Sequence, residues 1–173
     1  MTKYPSNKST NFSKGPAQSH RGLTVFTDGA CSGNGTSQAK GGYATVWPGN
    51  SQLNQSGSVA RPTSNRAEYK ALSQALETAN KVDPSGSKPL HVYTDSKLVA
   101  DSLCDYLPKW KNNGFTTVCN QPVRNQDLIR ECVDRAGSRQ VTMTHVRGHT
   151  GNNDWASRHN NQADTSAKGA LRR

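Results

Sequence analysis

Short apolar runs separated by turn residues divide the first half of the chain into three strands and one long helix. Residues 23–28, 41–47 and 52–60 have strand-like patterns, and Pro-Gly-Asn between the last two is a turn signal. We therefore predict a meander of three antiparallel strands. Residues 63–81 are rich in Ala, Leu, Gln and Glu and predict a helix, with candidate N-caps at its first three positions.

The second half of the chain alternates between strands and helices. The pattern predicts, in order, a strand, two helices, a strand and a helix, over residues 90–95, 96–107, 125–137, 140–146 and 158–171. Pro108 is expected to break the first of these helices. Three antiparallel strands followed by this alternation predict an α/β fold in which helices pack on a mixed sheet.

Composition and charge change this picture at the amino terminus. Residues 1–21 are polar and basic with no acid, and we expect a disordered tail ahead of one folded domain over residues 22–173. The chain has 22 Lys and Arg against 12 Asp and Glu, a formal net charge of +10. That surplus favours nucleic acid as a partner, and a basic protein without one is the alternative. No stretch is apolar enough to predict a membrane span.

Cysteine spacing bears on the cellular compartment. None of the four cysteines forms a Cys-x-x-Cys pair, and residues 1–21 lack the apolar core of a secretory signal. We therefore expect reduced thiols and an intracellular protein that acts as a monomer. The sequence does not distinguish nucleus, cytoplasm and mitochondrion.

Four acids fall at positions that are unusual for a basic chain. Asp28 and Asp95 end two predicted strands that both finish in Thr-Asp. Glu68 shares a helix face with the apolar stripe of the long helix, and Asp164 leans toward the apolar side of the last helix. Each acid has an ordinary explanation. These are a turn for Asp28, a capping box with Asn65 for Glu68, an N-cap for Asp95 and partial exposure for Asp164.

Taken together, the four acids favour a metal site. The carboxyl ends of neighbouring strands share one crevice, where two unit charges about 4 Å apart cost about 4 kcal/mol at an effective dielectric near 20. Divalent cations remove that cost, and clustered oxygen ligands favour Mg²⁺ or Mn²⁺. Two such ions close together suit phosphodiester hydrolysis.

From about residue 22 to residue 171 the chain resembles the ribonuclease HI (type 1 RNase H) family. Six pieces occur in the family's order: FTDGACSGNG, GGY, RPTSNRAEYKAL, VYTDSKLV, VRNQDL and HVRGHTGNNDWASRHNNQADTSAKGA. The resemblance implies the RNase H-like fold, a five-stranded mixed sheet of three antiparallel and then parallel strands flanked by helices. It also implies an endonuclease that hydrolyses the RNA strand of RNA–DNA hybrids and leaves 5′-phosphate and 3′-hydroxyl ends.

The resemblance also assigns roles to single residues. The matches to carboxylates that hold two Mg²⁺ ions, for which Mn²⁺ can substitute, are Asp28, Glu68, Asp95 and Asp164. His149 matches a loop histidine that assists proton transfer or product release. The matches to RNA contacts are Cys31, Gly33, Asn34, Ser64 and Asn65. The matches to DNA contacts are Arg61, Thr63, Tyr106, Trp110 and Asn125.

Departures from the family pattern leave other interpretations open. Asn161 stands where many family members have Glu, although this removes no expected metal ligand. The amino-terminal basic residues are candidates for nonspecific attraction of phosphates: Lys3, Lys8, Lys14 and Arg21. A catalytically silent nucleic-acid-binding module and an RNase H domain derived from a retroelement are the alternative functions. The preferred metal, the cleavage-site preference and the cellular process stay open.

Overall fold

The computed structural model describes residues 11–16 and 21–173, which form a six-stranded sheet with helices packed on both faces. The strands are β1 (Phe12–Lys14), β2 (Leu23–Ser32), β3 (Lys40–Val46), β4 (Gln55–Val59), β5 (Leu90–Thr94) and β6 (Val141–His145). The α-helices are α1 (Ser64–Val82), α2 (Lys97–Asp101), α3 (Leu107–Asn113), α4 (Gln126–Ala136) and α5 (Trp155–Ala170). A 3₁₀ turn covers Ser51–Leu53, and a π-turn covers Ser102–Tyr106.

The strand order in the sheet is β1-β6-β5-β2-β3-β4. Antiparallel pairing joins β2, β3 and β4, whereas β2, β5, β6 and β1 run parallel. The predicted mixed sheet with flanking helices is confirmed, with six strands in place of five. No helix in the described part of the chain is long and apolar enough to cross a membrane.

The sixth strand comes from the segment that was expected to be a disordered tail. β1 pairs with β6 at the edge of the sheet, and the Phe12 side chain is buried in the core. The expectation of disorder is therefore wrong for residues 12–14, because edge pairing and burial of one aromatic ring hold them. Residues 1–10 and 17–20, which include Lys3 and Lys8, lie outside the described residues, and for them disorder stays a prediction.

The central strand β2 is longer than predicted. It continues from residue 28 to Ser32 because β3 pairs with it from Phe26 onward. Its parallel neighbour β5 stops earlier, and the last pair is Thr27 with Thr94. Asp28 therefore lies inside β2, at the point where parallel pairing ends and a crevice opens.

The long helix α1 packs its apolar stripe on the sheet as predicted. Its N-cap is Thr63, whose hydroxyl oxygen accepts a hydrogen bond from the Arg66 N–H at 3.1 Å. The stripe residues Leu72, Ala75, Leu76 and Ala79 are all fully buried. A capping box centred on Asn65 is thus excluded, because the helix begins earlier.

The helix after β5 does not end at Pro108, contrary to the prediction. The backbone continues from α2 through the π-turn into α3, and the Leu107 N–H donates to the Ser102 carbonyl. Pro108 lies in the first turn of α3, directly after the π-turn, where proline is tolerated. The helical path therefore reaches Asn113 and ends at Gly114, whose backbone lies in the left-handed region.

Candidate active site

Three carboxylates meet where the parallel part of the sheet ends. One oxygen each from Asp28, Glu68 and Asp95 lies within 4.8 Å of the others. Asp28 is buried, and the other two residues are half-buried. Asp28 comes from β2, Glu68 from the second turn of α1, and Asp95 directly follows β5. The structure thus brings together three of the four predicted metal ligands.

Glycine in β2 allows α1 to come close enough for this meeting. A Cβ atom on Gly29 would lie 2.4 Å from the Ala67 carbonyl carbon and 2.5 Å from the Glu68 nitrogen. Any side chain there would push α1, and Glu68 with it, away from Asp28. A glycine inside a strand signals such a close approach, so the sequence contained a hint of this role.

A second glycine contact brings α5 to the other face of the sheet. A Cβ atom on Gly42 in β3 would lie 2.4 Å from the Ala167 carbonyl oxygen. This contact fixes the helix that carries Asp164. The Asp164 carboxylate lies beside Asp28 and contributes to raising the pKa of Asp28, and its Oδ2 is 2.9 Å from Lys168 Nζ. Asp164 is therefore next to the group of three rather than within it.

Burial and mutual repulsion disfavour negative charge in the cluster. Burial, followed by the charges of Glu68 and Asp95, raises the pKa of Asp28. Burial, followed by the charge of Asp95, raises the pKa of Glu68. In the absence of a cation, the cluster stores electrostatic repulsion that protonation relieves.

Two oxygens of the cluster have no hydrogen-bond partner among the described residues. Asp28 Oδ1 accepts from the Gly29 N–H at 2.9 Å, but Asp28 Oδ2 and Glu68 Oε2 are buried without a partner. Leaving a buried polar atom unpaired is costly, and a cation supplies the missing partner. A donor set made only of carboxylate oxygens fits a hard divalent ion such as Mg²⁺ or Mn²⁺.

Asp95 is not the N-cap of the next helix. Ser96 takes that role, because its hydroxyl oxygen accepts from the Val99 N–H at 3.3 Å. The Asp95 side chain is thereby left for the cluster. Its backbone carbonyl accepts from His145 Nε2 at 3.2 Å, a contact for which the sequence offered no signal.

The loop after β6 carries His149 and packs against Asp95 through Gly148. A Cβ atom on Gly148 would lie 2.9 Å from Asp95 Oδ2, so this loop packs directly against Asp95. His149 follows in the left-handed region with a φ of 56° and is exposed to solvent. The predicted catalytic histidine thus lies on a loop beside the acids.

The predicted RNA contacts lie on two neighbouring segments. Cys31, Gly33 and Asn34 form the partly exposed end of β2 and the turn after it. Ser64 and Asn65 are exposed in the first turn of α1. The Gly29 contact with Ala67 and Glu68 joins the two elements that carry these segments.

Three of the predicted DNA contacts are joined by an ion-pair network that the sequence did not predict. The Arg66 guanidinium donates to both Asp127 oxygens, at 3.0 and 2.9 Å, and to Asn125 Oδ1 at 3.4 Å. Arg61 is 3.8 Å from the same Asp127 carboxylate, and Thr63 accepts from the Arg66 backbone. Asn125 occupies the N-cap position of α4, but its side chain makes no capping bond.

The other two predicted DNA contacts form an aromatic surface on the π-turn and α3. The rings of Tyr106 and Trp110 are 5.6 Å apart. Tyr106 is 45% exposed, whereas Trp110 is half-buried and lies 6.4 Å from the Phe115 ring. Tyr106 is therefore available to a ligand, and the half-buried Trp110 ring packs beside it.

Comparison with known proteins decides which family this site belongs to. The family model described as RNase H matches residues 20–172. The chain belongs to the RNase H family. It is therefore an enzyme, a hydrolase of the nuclease class.

Bacterial relatives resemble this RNase H over most of its length. The ribonuclease H of Cyanothece sp. is 38% identical over 130 residues, covering 74% of this chain and 78% of the relative. The ribonuclease H of Moorella thermoacetica is 35% identical over 151 residues, covering 86% of this chain and 91% of the relative.

Solved structures resemble this RNase H in fold. The PFV RNase H domain in solution matches with a TM-score of 0.74 at 24% identity, covering 91% of this chain and 98% of that domain. LC11-RNase H1, solved in complex with an RNA/DNA hybrid, matches with a TM-score of 0.61 at 21% identity, covering 87% and 96%. The RNase H-like fold is thus confirmed.

Proposed function

We propose that this RNase H is an endonuclease that hydrolyses the RNA strand of RNA–DNA hybrids with the help of two divalent ions. The observation that carries the proposal is the meeting of Asp28, Glu68 and Asp95, two of whose oxygens are buried without a partner. The names of the relatives and the hybrid bound to LC11-RNase H1 support the substrate class.

In this proposal, the ions are held by Asp28, Glu68, Asp95 and Asp164. Bound Mg²⁺, or Mn²⁺ in its place, lowers the pKa of coordinated water and stabilises the charge that develops on the leaving 3′-oxygen. Cleavage on that side of the phosphorus leaves 5′-phosphate and 3′-hydroxyl ends.

The chain's own side chains fix the geometry and move the proton. Asp28 is buried in β2, which packs against α1 and α5, and we propose that it holds the base of the metal site. His149 follows Gly148 on the loop that packs against Asp95, and we propose that it assists proton transfer or product release.

The two strands of the hybrid are read by different surfaces. We propose that the end of β2 with the turn after it, and the start of α1, contact RNA sugars, where a 2′-hydroxyl distinguishes RNA from DNA. The residues proposed for this are Cys31, Gly33, Asn34, Ser64 and Asn65. The residues proposed for the DNA strand are Arg61, Thr63, Asn125, Tyr106 and Trp110. The amino end of α1 adds a partial positive charge that favours phosphate.

The test is incubation of an end-labelled RNA–DNA hybrid with the protein and Mg²⁺. The wild type should cut the RNA strand only and leave duplex DNA intact. Asp95→Asn should be inert, whereas Asp134→Asn, the same change at an exposed acid of α4, should cut normally. Equal cutting of both strands would refute the proposal, and hybrid binding without cutting would favour the catalytically silent module.

Further parts of the proposal have their own measurements. RNA products with 3′-hydroxyl ends are substrates for polymerase extension, which reads the cleavage chemistry directly. Light scattering after gel filtration checks the proposed monomer. We also propose an intracellular location, in keeping with four cysteines that are free thiols, and cell fractionation tests it.

A further inference from the structure

Lys14 places its ammonium between two carboxylates of the helical path after β5. Its Nζ is 2.5 Å from Asp101 Oδ1, the last residue of α2, and it also contacts Asp105 Oδ2 in the π-turn. These partners lie 87 and 91 residues away along the chain. Lys14 is therefore engaged in a tertiary contact, which argues against the simple phosphate attraction expected from its place in a basic tail.

The strand that carries Lys14 is well fixed to the sheet. The Gly15 N–H donates to the Met143 carbonyl at 3.0 Å, and the Thr144 hydroxyl donates to the Gly15 carbonyl at 2.6 Å. The Phe12 ring is buried in the core two residues before Lys14. β1 lies before residue 20, where the match to the family model begins. This chain thus adds a strand, with its lysine, to the part that the family model matches.

The π-turn that Lys14 reaches leads directly into the aromatic surface proposed to contact DNA. It contains Asp105 and Tyr106, and α3 with Trp110 follows. Besides its flanking helices, the π-turn contacts β1, and the Ser102 hydroxyl lies 2.7 Å from the Tyr69 hydroxyl of α1. A π-turn is a locally irregular stretch of helix, and such stretches commonly occur at functional sites. Lys14, at the edge of the sheet, therefore contacts the least regular stretch of the helical path from α2 to α3.

We propose that Lys14 is a positioning residue for hybrid binding, because its contacts with Asp101 and Asp105 hold the π-turn and thereby the Tyr106–Trp110 surface in place. The inference rests on the proposed function. In this proposal, Lys14 acts by positioning the Tyr106–Trp110 surface and not through its own charge, because the lysine does not touch the substrate. Two exposed ion pairs of this kind change an equilibrium constant by at most about tenfold, which bounds the effect on hybrid binding.

The first test compares the steady-state kinetics of Lys14→Gln with those of the wild type, with the RNA–DNA hybrid as substrate. KM should rise roughly threefold to tenfold while kcat stays within twofold, because the carboxylates are untouched. Lys14→Arg should restore the wild-type KM. The matched control is Lys81→Gln, which removes another exposed ion-paired lysine, at the end of α1, and should leave KM unchanged.

The second test separates placement from charge. If Lys14 acts by holding the π-turn, the double variant Asp101→Asn with Asp105→Asn should raise KM as Lys14→Gln does, and adding Lys14→Gln should change nothing further. If the lysine only masked two acids near DNA, the double variant would lower KM. A lowered KM, or an unchanged KM in Lys14→Gln, would overturn the proposal.

Hydrogen exchange provides a readout that is independent of catalysis. In Lys14→Gln, amides of residues 102–113 should exchange faster than in the wild type, and those of α4 should not. Unchanged exchange over residues 102–113 would overturn the proposal that Lys14 holds the π-turn in place. If the wild type left hybrids uncut, the proposed function would fail, and the exchange result would still decide whether Lys14 holds the π-turn.

Discussion

Replacing Asp28 by Asn should make the metal-free protein more stable while abolishing its activity. Three carboxylate oxygens lie within 4.8 Å of one another. Two unit charges at that separation repel by about 3.5 kcal/mol at an effective dielectric near 20. Protonation relieves part of this repulsion, so the net gain on removing the buried charge should be about 1–3 kcal/mol.

The assay is thermal unfolding in EDTA and in excess Mg²⁺. In EDTA, Asp28→Asn should melt roughly 2–12 °C above the wild type, because each kcal/mol shifts the melting temperature by about 2–4 °C for a protein of this size. In Mg²⁺, the wild type should gain stability by ligand linkage, and the variant should gain much less because a ligand is missing. Asp134→Asn, an exposed acid on α4, is the control and should follow the wild type in both conditions.

The pH dependence of this difference has a defined sign. Burial and the charges of Glu68 and Asp95 raise the pKa of Asp28 in the folded state, so the unfolded chain loses that proton at lower pH. Wild-type stability without metal should therefore fall as pH rises from about 4, and the advantage of Asp28→Asn should be larger at pH 8 than at pH 5. A variant less stable than the wild type in EDTA, or one that gains equally from Mg²⁺, would refute this reasoning.

Three further changes test the packing around the site. Gly29→Ala should cost about 1–3 kcal/mol by overpacking and weaken stabilisation by Mg²⁺, whereas Gly169→Ala, where the added Cβ meets nothing within 4 Å, should do neither in the same melts. Arg139, 1% exposed, donates five hydrogen bonds at the end of α1, and Arg139→Met should lower urea stability by about 3–5 kcal/mol. Hydrogen bonds from the Lys88 backbone N–H and the Ser85 hydroxyl lower the pKa of Asp83 to about 2. The stability that Asp83→Asn removes should therefore be present above about pH 4 and disappear as pH falls toward 2, read by denaturant titration at each pH.

The sequence sufficed for those parts of the site that local patterns encode. Thr-Asp at two strand ends predicted that Asp28 and Asp95 would meet, because parallel strands align their carboxyl ends. The apolar stripe of α1 predicted which face is buried and therefore that Glu68 points toward the sheet. These inferences depend on periodicity and chain direction alone, which is why they survived.

Other features depend on contacts that no local pattern contains. β1 has three residues and a single buried aromatic ring, too little for strand periodicity, and its pairing is decided by the open edge of β6. Arg66 of α1 pairs with Asp127 of α4, 61 positions later in the sequence. In the sequence alone, each of the two is typical of an ordinary surface charge. The π-turn at Ser102–Tyr106 precedes Pro108, and no local pattern in the sequence distinguishes it from an ordinary helical turn.

The parallel pairing of β2 with β5 has a consequence for the protein during its synthesis. Asp28 leaves the ribosome early, but its partner strand becomes available only after residue 94, and α5 follows still later. A nascent chain can therefore pair β2 with β3, but it has no assembled crevice until β5 and α5 have been added. Asp164, one of the four carboxylates proposed to hold metal, is added only with α5, so we expect a product truncated before α5 to lack hydrolytic activity.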